Sequence, residues 1–131
     1  MNPDAPKVTG IGGVFIKAKN PAALAAWYDE NLGFSFGKNS YVIFEWINPP
    51  DAKEPGQTVF SIFKQDAANF NPSEKDHMLN LRVSNLEGLL ANLRAKGIWV
   101  DENMQNIEYG KFGWTMDPEG NKIELWEPAD G

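Results

Sequence analysis

The spacing of apolar residues changes several times along the chain, and each change predicts an element. Residues 11–18 are apolar and partly β-branched, which predicts a strand. Asn20-Pro21 follows, a capping residue before the residue best suited to a first helical position. Leu24, Trp27, Tyr28 and Leu32 then fall on one helical stripe, and Gly33 suits the left-handed stop of that helix. Residues 34–36 and 41–46 read as two more strands around a Gly37-Lys38-Asn39-Ser40 turn. A Pro-rich loop over 48–56 leads to a fourth strand at 58–63. After a polar link over 65–76, residues 78–83 predict another strand. Ser84-Asn85-Leu86-Glu87 has capping-box spacing, with Leu86, Leu89, Leu90 and Leu93 on the following helix and Gly97 at its end. Residues 98–100, 112–116 and 122–126 complete the strands, the last two joined by a tight Asp117-Pro118-Glu119-Gly120-Asn121 turn. The long polar stretch 101–110 reads as a mobile flap, with 48–56 as the other candidate.

The order of elements repeats. Asn85 stands 65 positions after Asn20, and Gly97 stands 64 after Gly33. Residues 56–63 lie over 120–127 at the same spacing. Two similar β-α-β-β-β halves follow: module one over about 9–64, a linker over 65–76 and module two over about 77–128, within a single domain of 131 residues. A site between the halves would draw residues from both.

Bulk composition narrows the classes. Hydrophobic residues at 42% and charged residues at 23% suit an ordinary globular chain. The absence of cysteine excludes thiolate catalysis and cysteine metal sites. The net charge of −6 argues against nucleic acid or an anionic membrane as partner. No apolar run is long enough to span a bilayer. The start Met1-Asn2-Pro3-Asp4-Ala5-Pro6 has no basic segment followed by an apolar one, so the expected compartment is the cytoplasm.

The frame 12–34 and above all the run Tyr109-Gly110-Lys111-Phe112-Gly113-Trp114-Thr115-Met116-Asp117-Pro118-Glu119-Gly120-Asn121-Lys122-Ile123-Glu124-Leu125-Trp126-Glu127-Pro128 resemble the vicinal oxygen chelate superfamily. That superfamily holds the glyoxalases, extradiol dioxygenases and bleomycin-resistance proteins. The resemblance covers about residues 8–128. It implies an α+β fold, two tandem βαβββ modules forming an open barrel-like cup, with the ligand inside and a homodimer as the usual assembly.

The resemblance also implies where a divalent metal would be held, on the first and fourth strands of each module. Those positions read Gly13, Phe60, Met78 and Glu124. Glycine and phenylalanine offer no side-chain donor, and a thioether is a poor ligand for hard or borderline ions. Only Glu124 remains, so the expected cofactor is none. A divalent metal held by Glu124 and His77, the single histidine, is the lesser alternative. Alternation turns His77 away from the face that Met78 occupies.

The same alternation lists what faces the cup: Gly13, Phe15 and Lys17; Met78, Asn80 and Arg82; Thr58, Phe60 and Ile62; Lys122, Glu124 and Trp126. The ligand-binding candidates are Phe15, Lys17, Phe60, Met78, Asn80, Arg82, Trp114 and Trp126, with Glu124 as acceptor or base. Lys17 and Arg82, at matching places in the halves, would grip a carboxylate or phosphate. Trp114 serves as core or as ligand platform. The expected function is a metal-independent binder of an aromatic or anionic small molecule. The alternative is a lyase, isomerase or dioxygenase-like enzyme using Glu124, with or without displaced metal ligands. A cup that serves only dimerisation or a protein partner is the third reading.

Overall fold

A computed structural model of the protein describes residues 5–47, 51 and 55–129. Strand β1 (Lys7–Ala18) runs through the middle of the fold, followed by helix α1 (Pro21–Leu32), β2 (Tyr41–Glu45) and β3 (Gln57–Lys64). A single 3-10 turn (Ala68–Phe70) precedes β4 (His77–Ser84), helix α2 (Leu86–Ala95), β5 (Gln105–Ile107), β6 (Gly110–Met116) and β7 (Lys122–Pro128). The seven strands form one mixed sheet in the order β2-β3-β1-β4-β7-β6-β5, curled into a half-barrel. The architecture is α+β, the glyoxalase/bleomycin-resistance/dioxygenase fold that the sequence led us to expect.

The two halves meet along β1 and β4, which run antiparallel. Val14 pairs with Leu79, Gly13 with Asn80 and Phe15 with Met78. Leu79 is the repeat equivalent of Val14, so the seam has a two-fold centre at that pair. On either flank a parallel pair extends the sheet: β1 with β3, where Phe15 faces Ser61, and β4 with β7, where Asn80 faces Glu124.

Local chemistry explains both helices. Asn20 accepts the Ala23 amide at 3.1 Å and Pro21 opens α1, while Gly33 closes it at φ 71°. In the second half Asn85 itself is the cap, accepting from the Gly88 amide at 3.1 Å with φ 55°. The expected capping box is absent. Ser84 Oγ bonds instead to the Ala5 carbonyl, and the Glu127 carboxylate takes the Leu86 amide at 2.8 Å. The side chain that completes this cap therefore comes from β7.

Two cores lie on the helix side. Ala18, Ala25, Phe36, Val42 and Ile62 pack beneath α1, joined by Leu24, Tyr28 and Phe60. Val83, Leu86, Leu90 and Leu125 pack beneath α2. A third cluster, Phe15, Phe70 and Met78, lies on the concave face with Phe63 and Trp114 against it. Burying a ring the size of Phe36 or Phe70 contributes about 1.5–3 kcal/mol.

Several expectations need correction. Residues 34–36 form no strand. The Asp29 carboxylate accepts both the Phe36 and Gly37 amides, at 2.8 and 3.0 Å, and so holds the segment in an irregular path that buries Phe36. Residues 98–100 give only an isolated bridge, Val100 with Thr115. The stretch expected as a flap carries β5, paired to β6. Only Leu24 and Tyr28 of the α1 stripe pack inward, while Trp27 and Leu32 are 52% and 58% exposed. The polar linker sends Phe70, fully buried, into the concave cluster. Most of the 48–56 loop, the other expected flap, lies outside the described residues.

Candidate functional site

The concave face opens into a cavity of about 390 Å³. Phe15, Val59 and Phe63 form one wall, Tyr41 and Ile43 of β2 the rim, and Phe112 and Trp126 the opposite wall. The Phe112 and Trp126 rings are stacked, 9° from parallel with centroids 6.1 Å apart, too close to admit a third ring between them. The Trp126 indole donates to the Tyr109 carbonyl at 2.9 Å, which fixes its orientation.

Glu124 stands at the floor. Its neighbours in register on both flanking strands, Asn80 of β4 and Trp114 of β6, each donate to it. Asn80 Nδ2 reaches Oε1 at 2.7 Å and Trp114 Nε1 reaches Oε2 at 2.9 Å. Burial pushes the Glu124 carboxyl above its ordinary pKa, against the opposing pull of these two hydrogen bonds and of the Lys122 charge. Asn80 Oδ1 is buried without a partner and lies against Gly12, where a side chain would collide with it.

A second compartment of about 250 Å³ shares Phe15, Phe63 and Glu124 with the first. It ends on Asp101, Asn103, Gln105 and Lys122, with Met78 and Trp114 in its walls. Glu124 therefore stands between an aromatic chamber and a polar one.

The sequence-predicted residues separate into two groups. Phe15, Met78, Asn80, Trp114, Glu124 and Trp126 all line these cavities. Phe60, Lys17 and Arg82 do not. Phe60 packs against Tyr28, Phe34 and Phe36 on the helix side, together with Ile62. The residues of β3 that face the cavity are Gln57, Val59, Ser61 and Phe63. The strand equivalences explain the shift: Ser61 stands beside Phe15 as Glu124 stands beside Asn80, so the first-half counterpart of Glu124 is Ser61. A one-residue difference reverses every side chain of a strand.

Lys17 and Arg82 are separated for a related reason. Matching positions on antiparallel β1 and β4 lie at opposite ends of the seam unless they are near its centre. Arg82 pairs with Gly10, so it lies roughly 20 Å from Lys17 along the strand. Lys17 Nζ sits 4.9 Å from the Phe70 ring centroid. Arg82 is buried beneath Trp46, 5.9 Å from the ring, and donates to the Pro55 carbonyl. These two cations do not converge on one small anion.

His77 is exposed and lines a small recess with Leu79, Leu81 and Asp117 rather than the cup. At the other expected metal positions, a Cβ on Gly13 would stand 2.9 Å from the Phe15 ring and 3.1 Å from the Val59 carbonyl. Met78 is buried against Phe15 and Phe70.

No family model matches the sequence, and no curated protein does. Solved structures do. A Streptomyces coelicolor methylmalonyl-CoA epimerase in complex with 2-nitronate-propionyl-CoA superimposes with a TM-score of 0.65 at 15% identity, over 94% of this chain and 99% of that one. Methylmalonyl-CoA epimerase from Mycobacterium tuberculosis gives 0.56 at 22% identity, over 93% and 89%. A glyoxalase/bleomycin resistance protein/dioxygenase superfamily member from Vibrio splendidus 12B01 gives 0.57 at 11% identity, over 92% and 99%.

Proposed function

We propose that the cup binds a small organic molecule, with a flat apolar part in the aromatic chamber and a hydrogen-bond donor directed at Glu124, and that it does so without a resident divalent metal. One observation carries this reading: a buried carboxylate, held on both sides by Asn80 and Trp114, faces a cavity walled by aromatic rings. Each of its oxygens accepts one N–H, which leaves lone pairs for a ligand. An apolar lining with few convergent polar groups is the usual make-up of a small-molecule site.

The donor set fits a divalent metal poorly. Gly13 carries no donor, Ser61, the first-half counterpart of Glu124 where Phe60 was expected, offers only a neutral hydroxyl, and Met78 offers only a thioether. Among the described residues no group of three or more His, Asp or Glu is placed to hold an ion.

Tryptophan fluorescence tests the reading directly, because Trp114 and Trp126 stand in the walls. Titration with 2-phenylethylamine is expected to give saturable quenching. Glu124→Gln should weaken binding about 10- to 100-fold, the loss expected for a hydrogen bond to a charged group. Elemental analysis of the purified protein is expected to find no stoichiometric zinc, nickel, manganese or iron. A stoichiometric ion that disappears in Glu124→Gln would overturn the metal-free reading.

A second reading, proton transfer at Glu124, is favoured by the burial that lifts its pKa toward neutrality, where a carboxyl both takes and returns a proton efficiently. The epimerases among the structural neighbours act on methylmalonyl-CoA. Uptake of deuterium from heavy water at a carbon of a bound acid, lost in Glu124→Gln, would establish it.

A further inference from the structure

The polar chamber contains a cation that the reading above leaves unused. Lys122 is only 6% exposed and lines that chamber together with Asn69 and Trp114. Nζ donates to the Asn69 carbonyl at 2.7 Å and stands 5.7 Å from the Trp114 ring centroid. An ammonium has three N–H donors. Among the described residues no carboxylate forms a salt bridge with it. Asp101, in the same chamber, has Oδ1 engaged by the Asn103 amide at 2.9 Å. Buried cations are ordinarily paired, because desolvation is costly. Burial draws the Lys122 pKa down, while the charges of Asp101 and Glu124 hold it up.

The geometry points to Lys122 as an anchor for a carboxylate, so that the ligand of the cup is an aromatic carboxylic acid carrying an amino or hydroxyl group on its α carbon. This rests on the cup being a ligand site. The ring lies in the aromatic chamber, the α-substituent donates to Glu124, and the carboxylate meets Lys122 with the side chains of Asn103 and Gln105 in the same chamber. Lys122 and Glu124 are two positions apart on one face of β7, so their Cα atoms are about 7 Å apart. A phosphate dianion is disfavoured, since one ammonium would face it beside two carboxylates. A carboxylate brings one negative charge there instead of two, and an α-ammonium on the same ligand offsets the Glu124 charge.

Four probes separate the contributions: phenylalanine, 3-phenyllactate, 2-phenylethylamine without the acid, and 3-phenylpropionate without the α-donor. Fluorescence titration at pH 7 is expected to show phenylalanine or 3-phenyllactate binding at least tenfold tighter than 2-phenylethylamine. In Lys122→Met that ratio should fall to about one. If 2-phenylethylamine binds wild-type protein as tightly as the α-substituted acids, the Lys122 anchor is wrong and the cup reading stands. If none of the four binds, the cup reading fails and the anchor fails with it. The wild-type comparison needs no variant, so poor folding of Lys122→Met would not shield the proposal.

Discussion

At the scale of single residues, Glu124 and Asn80 form a coupled pair with a testable pH signature. Glu124 titrates above its unfolded-state value, chiefly because it is buried. The folded state therefore holds this proton to a higher pH than the unfolded state does. Stability from this group is fully present below the unfolded pKa and is lost as pH rises through the folded one. Glu124→Gln removes the titration. It is also readily accommodated: if Asn80 turns its amide over, the unpartnered Oδ1 accepts from the new Gln amide while Trp114 still donates to the Gln carbonyl. Measured from pH 4 to pH 8, the melting temperature of the variant relative to wild type should rise as pH rises, because only wild type loses the Glu124 contribution. Parallel curves would show that Glu124 is not strained by burial. That Glu124 faces inward was legible in sequence, because Ile123 and Leu125 on either side are apolar and belong beneath a helix. Phe60 was not legible. In β3 both alternating sets, Val59 with Phe63 and Phe60 with Ile62, are apolar, so periodicity could not choose the facing, and only pairing with β1 does.

At the scale of elements, the helices and long strands followed from local signals, whereas the short strands depended on pairing. Asn20-Pro21 and Gly33 bracket α1 as expected. The strand expected at 34–36 is lost because Asp29 in α1 captures the Phe36 amide and that of Gly37 just after it. Nothing in its own composition marks that competition. β5 forms inside a polar stretch because the edge of β6 is available to it, and its own residues carry no apolar alternation. The α2 cap gives a sharper test. Asn85 combines a capping oxygen with a left-handed backbone that asparagine and glycine tolerate and alanine does not. Asn85→Ala should cost about 1–2 kcal/mol in urea denaturation, and Asn85→Gly only a few tenths. Equal losses would mean that the backbone angle carries no weight there.

At the scale of the molecule, the site is a consequence of duplication. The two-fold centre at Val14 and Leu79 brings the equivalent pairs Gly13 with Met78 and Phe15 with Asn80 to one place, while pairs farther along the seam diverge. Residues near the centre therefore build a shared cup, and Lys17 and Arg82 do not. The halves differ at that centre: Phe15 and Ser61 in one correspond to Asn80 and Glu124 in the other, an aromatic ring and a neutral hydroxyl opposite an amide and a carboxylate. This asymmetry gives a ligand two distinct ends to recognise. The concave cluster ties the halves together, since it joins Phe15, Val59 and Phe63 from the first with Met78 and Trp114 from the second through Phe70 of the connecting segment. Phe70 touches both, so its loss should loosen the seam as a whole. Phe70→Ala is expected to cost about 3–5 kcal/mol, as for other buried rings. Far-ultraviolet and near-ultraviolet circular dichroism should still report one coincident transition, shifted to lower denaturant. Two separated transitions in the variant would mean that the β1–β4 pairing alone does not couple the halves and that this ring does.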